Sequence, residues 1–306
     1  MNISHGKIFS FLQFFTGYFQ DYWHILYPVM DWNDPSKPYA YFYNIERKAL
    51  DYSGPFTDDG IYLFYGYDQK YHIHALELAQ YGLACWLAWS NARGEQWLER
   101  ALRHSDWLVK NQENDGGWRI DHKNPRHADL PTPWPSAMCQ GLAVSTLVRA
   151  YEYSADIEYL MAARKAADFL HLDVAAGGTL RKVDDIGFIY EEYPKPQLSG
   201  VLNGYITAVL SLFELSNRVS EYRPVYDDNI NNLKKILPLY DNGYWSYYSL
   251  DNIVASGFYH RYHIIQLSVL SDMDFHFRDY KELFEKYLRK NGLKALYSKM
   301  KNRLKI

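Results

Sequence analysis

From about residue 71 the sequence repeats one plan: an apolar helical run, a short polar turn, then a more charged amphipathic run. The spacing predicts four helical pairs: 74–90 with 96–111, 134–153 with 157–172, 202–217 with 226–239, and 262–273 with 280–290. The first helix of each early pair carries a related phrase, Gln80-Tyr81-Gly82-Leu83-Ala84, Gln140-Gly141-Leu142-Ala143 and Asn203-Gly204-Tyr205-Ile206. Their glycines recur at intervals of 59 and 63 residues, which marks stacked helical hairpins. A glycine inside a helix costs about 1 kcal/mol against alanine, so three at one register point to close helix packing or a site. The first helices hold small and apolar residues, as an inner ring would, and the second ones carry charge such as Glu99, Arg100, Arg103 and Asp106. The expected fold is mainly α, an incomplete (α/α) toroid of about four hairpins with a pocket at one end and a small N-terminal β-hairpin-like element.

Two domains follow, a brace or lid over residues 1–70 and a toroid over 71–306. In the first, Pro35, Pro38, Gly54, Pro55 and Gly60 interrupt aromatic segments, and 39–43 and 61–65 read as strands of an antiparallel element. The aromatic run Phe9–Tyr27 reads as an amphipathic helix that packs on the body, on a second copy in a homodimer, or at a membrane surface. It lacks a small-residue cleavage site and is too short and polar to span a bilayer, so a cytoplasmic location, with or without membrane association, is expected. The last 26 residues hold nine Lys or Arg and two Glu. They read as a solvated helix face, with docking on an acidic polymer or anionic lipid as the alternative.

A net charge of −3 gives no argument for nucleic-acid binding. The 29 tyrosines suit both large-residue packing and platforms for sugar rings, and packing accounts for most of them. Cys85 and Cys139 lie in apolar runs without metal-ligand spacing, which predicts buried thiols in a reducing compartment. His72 and His74 alternate and His260 and His263 are i, i+3, but neither pair has a third ligand of recognised spacing, so no metal and no cofactor are expected. Nucleophilic Ser or Cys motifs and a glycine-rich phosphate loop are also missing.

The unusual residues lie in the long connections between hairpins, where function concentrates. Residues 112–133 include Gly116-Gly117-Trp118-Arg119, His122 and His127; residues 240–257 include Tyr247 and Tyr248. Residues 174–200 include Arg181 and then Glu191-Glu192-Tyr193-Pro194-Lys195-Pro196, where two prolines stiffen a carboxylate beside a phenol.

Together these phrases resemble the C-terminal helical domain of the glucuronyl C5-epimerases, which make the iduronate of heparan sulfate and heparin-like polymers. The resemblance runs through Ala79-Gln80-Tyr81-Gly82-Leu83, Asp106-Trp107-Leu108-Val109-Lys110-Asn111-Gln112 and Gly116-Gly117-Trp118. It continues through Ser136–Gly141, Leu147–Tyr151, Glu191–Pro194, Val201–Gly204, Leu237–Asp241, Tyr259-His260, His263 and Gln266-Leu267. It implies that Glu192, Tyr193, Tyr248 and Tyr259 form the catalytic site, with Asn203, His260, His263, Gln140, Trp118, Arg119 and Arg181 around the substrate. The animal members carry Asp-Leu-Arg after the loop tyrosine, where this chain has Ser249-Leu250-Asp251. They also carry a β-rich domain between the first two phrases, so this chain looks like a compact microbial form.

The implied activity is cofactor-independent conversion of D-glucuronyl to L-iduronyl residues in an acidic polysaccharide. Removing the C5 proton creates charge on the neighbouring carboxylate, which cations or hydrogen-bond donors must meet. Two acid/base groups on opposite faces are then needed; a phenol, ordinarily titrating near 10, serves only if a neighbour tunes it. A uronate lyase shares the first step. A glycoside hydrolase would pair Glu192 with Asp184, Asp185 or Asp241, and a polysaccharide-binding protein is a further reading.

Overall fold

The computed structural model describes residues 32–303 apart from Tyr67 and Arg126, with side chains as far as Ala295. The segment Phe9–Tyr27 and the last three residues of the basic C-terminus lie outside the described residues.

The described chain is mainly helical. After α1 (Glu46–Asp51), the helices form four antiparallel hairpins: α2 (Ala75–Ser90) with α3 (Gln96–Lys110), α4 (Ala137–Ser154) with α5 (Ile157–Phe169), α6 (Leu202–Ser216) with α7 (Arg223–Ile236), and α8 (Gly257–Met273) with α9 (His276–Arg303). The first helices also neighbour one another in series, α2 on α4, α4 on α6 and α6 on α8. Burial follows this order. Every residue from Ala137 to Ala150 of α4 is buried, whereas α3 buries only Ala101, His104, Ser105 and Leu108.

Local chemistry sets the helix ends. Ser136 caps α4 by accepting the Cys139 N–H, and Asp156 caps α5 by accepting the Glu158 N–H. Ala155 takes a left-handed conformation in the turn between them. Helix α4 starts later than the periodicity suggested, because Trp134–Pro135 forms strand β4, paired antiparallel with β3 (Arg119–Ile120). The proline restricts Trp134 to extended geometry. At its other end α7 stops at Ile236, and Pro238 lies in a short 3-10 turn that follows. Gly141 lets α4 and α6 touch: a Cβ there would stand 3.0 Å from the Ala208 Cα and the Thr207 carbonyl oxygen.

The N-terminal element differs from the expected pairing. Residues 61–65 do enter an antiparallel hairpin, but β1 (Phe64–Tyr65) pairs with β2 (Tyr71–His72), across residue 70. Residues 39–43 instead thread into the core, where Tyr41, Phe42 and Tyr43 are buried. Their backbone finds a side-chain partner in place of a strand: Arg149 donates to the carbonyls of Tyr39 and Ala40 and pairs with Glu214 at 2.7 Å. Lys48 of α1 is likewise buried, against Glu77 and Gln80 of α2. This segment is thus packed into the core. Arg149→Met should cost about 3–5 kcal/mol, because it strands the buried Glu214 carboxylate and two carbonyls. The denaturant midpoint at pH 7 measures this, and Arg149→Met with Glu214→Leu should recover much of the loss.

Cys85 and Cys139 are buried free thiols, and burial pushes both well above the ordinary thiol range. Among the described residues no helix is long and apolar enough to cross a membrane.

Candidate active site

Three connections meet at one end of the first helices of the hairpins. Strand β5 (Leu180–Val183) turns into β6 (Gly187–Tyr190), which delivers Glu191 and Glu192. The backbone there is fixed on both sides: the Glu191 N–H donates to the Thr179 carbonyl, and its own carbonyl accepts the Ala137 N–H at the start of α4. The Glu191 side chain is fully buried and accepts from the N–H groups of Ser199 and Gly200 and from Arg181 Nε, at 2.8–2.9 Å. Arg181 also donates to the carbonyls of Lys195 and Pro196. The Glu-Glu pair is therefore divided: Glu191 ties down the loop, and Glu192 points to the helices.

The same loop is stitched to residues 240–257. The Leu202 N–H at the start of α6 donates to the Tyr248 carbonyl, which serves an otherwise orphaned helix donor. Val201 bridges Ser249, the Leu250 N–H reaches the Ser199 carbonyl, and the Tyr240 hydroxyl donates to the Gly200 carbonyl. Tyr259 enters from the first turn of α8, where its N–H donates to the capping Ser256 hydroxyl.

These anchors bring Glu192, Tyr193, Tyr248 and Tyr259 together. The Tyr193 hydroxyl lies in electrostatic reach of the Glu192 carboxylate and of the Tyr248 and Tyr259 phenols. The rings of Tyr248 and Tyr259 stand 4.6 Å apart. Asn203 Nδ2 donates to Glu192 Oε2 at 3.2 Å. Gly204 leaves the room Glu192 occupies, since a Cβ there would come within 2.5 Å of Oε2. Gly204 thus serves the site, while Gly141 serves helix packing.

The electrostatics are set by desolvation. Glu192 is buried, and loss of water raises its carboxyl to about 7, opposed by the bonds from Tyr193 and Asn203. Tyr193 and Tyr248 are pushed well above the ordinary phenol value, first by burial and then by the Glu192 charge. Tyr193 and Tyr248 are therefore neutral proton donors, and Glu192 is the group among these three that changes charge near neutrality.

Other residues expected around the substrate sit elsewhere in this arrangement. His260 is fully buried, stacked on Trp245 at 3.7 Å. Its Nε2 is 2.9 Å from the Phe284 carbonyl and its Nδ1 is 2.8 Å from the Ser246 hydroxyl; burial lowers it to about 3. This neutral ring holds α9 against the 240–257 connection. His263 is also buried, with Nδ1 3.0 Å from the same serine, and burial lowers it well below its ordinary value. Trp118 is buried and donates to the Leu108 carbonyl, and Gln140 donates to the Trp118 carbonyl. Arg119 is held by Glu113 and Asp115, and Arg181 by Glu191. Both arginines brace loops, and neither hydrogen-bonds to the phenols.

Two aromatic neighbours outside the expected site residues wall Tyr193. His127 stacks on Tyr193 with ring centroids 4.1 Å apart, and Trp134 lies 5.6 Å from the same ring on another side. Both come from the connection before α4, so Tyr193 is walled by residues some 60 positions away. Lys195 pairs with Asp251 at 3.3 Å, which links the two loops next to the phenols. A cavity of about 550 Å³ adjoins the Pro194–Pro196 turn, with Arg181, Lys182 and Lys195 on its wall. The candidate hydrolase partners do not accompany Glu192: Asp184 and Asp185 lie in the β5–β6 turn, and Asp241 caps its own turn and meets the Tyr287 hydroxyl.

Two known proteins are similar to this chain. Over 207 residues it is 32% identical to the D-glucuronyl C5-epimerase of Caenorhabditis elegans, a match covering 60% of this chain and 33% of the nematode protein. Over 212 residues it is 27% identical to an uncharacterized protein of Methanocaldococcus jannaschii, covering 64% of this chain and 67% of that one. The chain thus spans about a third of the nematode relative's length. The family described as the D-glucuronyl C5-epimerase C-terminus matches residues 112–289, the stretch that carries Glu192 and all three phenols. The chain belongs to that family.

Proposed function

We propose that this protein is an isomerase that epimerises D-glucuronyl residues of an acidic polysaccharide at C5, on an incomplete (α/α) toroid. The observation that carries the proposal is the joining of one buried carboxylate and three phenols from two connections and the first turn of α8, within the family match. The series α2, α4, α6 and α8, each first helix beside the next, supports the toroid.

The chemistry follows from the charges. With Glu192 ionised, Tyr193 takes the C5 proton while its phenolic proton passes to the Glu192 carboxylate. The C5 electron pair spreads onto the uronate carboxylate. Tyr259 then donates its phenolic proton to the other face of C5, which leaves a phenolate. The Glu192 proton then returns through Tyr193 and Tyr248, which lies between Tyr193 and the Tyr259 ring, to the Tyr259 phenolate and resets the site. No phenol has to be ionised in the resting protein, which agrees with the raised values of Tyr193 and Tyr248.

Lys195 is the cation assigned to the uronate carboxylate. Its present partner Asp251 is an outer-loop carboxylate that a substrate can displace. Lys195→Gln should raise KM about tenfold with a smaller change in kcat, the loss of one charge-assisted contact of about 1.5 kcal/mol. Steady-state kinetics on a glucuronate polymer at low and high salt would check this. An unchanged KM at low salt would remove Lys195 from the substrate's contacts.

A glucuronate polymer incubated with the full chain distinguishes the readings. Iduronate signals in the proton spectrum without chain cleavage support the epimerase. Ultraviolet absorbance of an unsaturated uronate would establish the lyase, and new reducing ends without that absorbance a hydrolase.

A further inference from the structure

A cluster of imidazoles outside the phenol site has the makings of a metal centre. The β1–β2 hairpin carries His72, and the connection after β3 carries Asp121 and His122; their donor atoms all lie within 4.8 Å of one another. The rings of His72 and His122 are stacked with centroids 4.5 Å apart, and His74 meets His122 edge-on at 5.0 Å.

Two details separate this cluster from ordinary packing. First, His122 Nδ1 is buried without a hydrogen-bond partner, as is His74 Nδ1. A buried polar atom left unserved is uncommon and calls for an unseen water or ion. Asp121 Oδ1 stands 3.5 Å from His122 Nδ1. Two ligands of one tetrahedral ion, each bonded at roughly 2.0–2.1 Å, stand about 3.3 Å apart. Second, His72 Nε2 lies 2.9 Å from both carboxylate oxygens of Asp68. A carboxylate that takes one ring nitrogen leaves the other free to ligate and fixes the ring's direction, the usual outer support of a metal-bound histidine.

We propose that His72, His122 and Asp121 bind a first-row divalent cation of the zinc type, with Asp68 orienting His72 and solvent completing the coordination. Asp121 is 81% exposed at its side chain and can swing to close the remaining gap. The site clasps the β1–β2 hairpin to the connection before α4. Its influence reaches the phenols through a series of ring contacts: His74 packs 6.3 Å from Trp134, which packs 5.6 Å from Tyr193. The ion takes no part in the proton transfers proposed above, and the site stands whether or not that chemistry is correct.

The test is binding rather than turnover. Full-length protein stripped with a chelator and dialysed is titrated with zinc chloride by calorimetry and with cobalt(II) chloride by visible absorbance. One equivalent of zinc should bind at micromolar affinity or tighter, and cobalt should develop a d–d band. His72→Ala and His122→Ala should each weaken zinc binding at least tenfold. Asp121→Asn, at an exposed position that folding does not need, should also weaken it at least tenfold with the metal-free Tm unchanged. Less than half an equivalent bound, or affinity within threefold of the wild type in Asp121→Asn, would overturn the proposal.

Discussion

Tyr193→Phe and Tyr259→Phe should each lower net epimerisation by about 10²–10⁴-fold, the usual worth of a positioned general acid or base. The rings remain, so packing against His127, Trp134 and Tyr248 is kept, and the loss in stability should stay near 1 kcal/mol per hydroxyl. The two variants should differ in kind. In Tyr193→Phe the Glu192 carboxylate loses one of its two side-chain donors and C5 loses its base on one face. In Tyr259→Phe the first abstraction survives, so glucuronate should still exchange its C5 proton with solvent while no iduronate forms. Thermal melts beside the kinetics separate chemical loss from unfolding.

Glu192→Gln should abolish turnover to a similar degree yet make the protein more stable above neutrality. The folded carboxyl sits at about 7 against an ordinary value of 4.5. Its protonated form therefore contributes stability that is complete below about pH 4.5 and is lost as pH rises through 7. At pH 8 the wild type holds an ionised carboxylate in a desolvated setting, at a cost of about 3 kcal/mol, and glutamine has no charge to bury. Denaturation midpoints at pH 5 and pH 8 would check this: the variant's advantage should be small at pH 5 and large at pH 8. The wild-type rate should move oppositely, rising with pH through 7 as Glu192 becomes able to take the Tyr193 proton. A variant less stable than the wild type at pH 8 would contradict the assigned desolvation.

The hairpins were legible in the sequence because periodicity is local, and so was the Gly204 register, whose cause is a carboxylate twelve residues upstream. What escaped was set by partners far along the chain. Residues 39–43 alternate like a strand, but Arg149 claims their carbonyls, and no local pattern reveals an arginine 110 positions away. His260 and His263 read as substrate contacts beside Tyr259, yet both rings reach the buried Ser246 hydroxyl, and His260 also stacks on Trp245. Glu191 and Glu192 are adjacent and chemically alike in the sequence. Strand alternation separates them, sending one to Arg181 and the other to Asn203. His127 could have been suspected only by asking what stacks on Tyr193, a question of topology. The clustering of His72 with His122 likewise depends on a hairpin that brings together residues 50 positions apart.

Deuterium at C5 tests the central claim most directly. A glucuronate polymer incubated in deuterated water with the wild type should acquire deuterium at C5 in both glucuronyl and iduronyl residues, with chain length unchanged. With Tyr259→Phe the label should enter glucuronyl residues alone, and with Tyr193→Phe it should be lost from that face. Full labelling of both epimers by both variants, or product formed without any deuterium at C5, would contradict a site in which Glu192 and the phenols carry the proton.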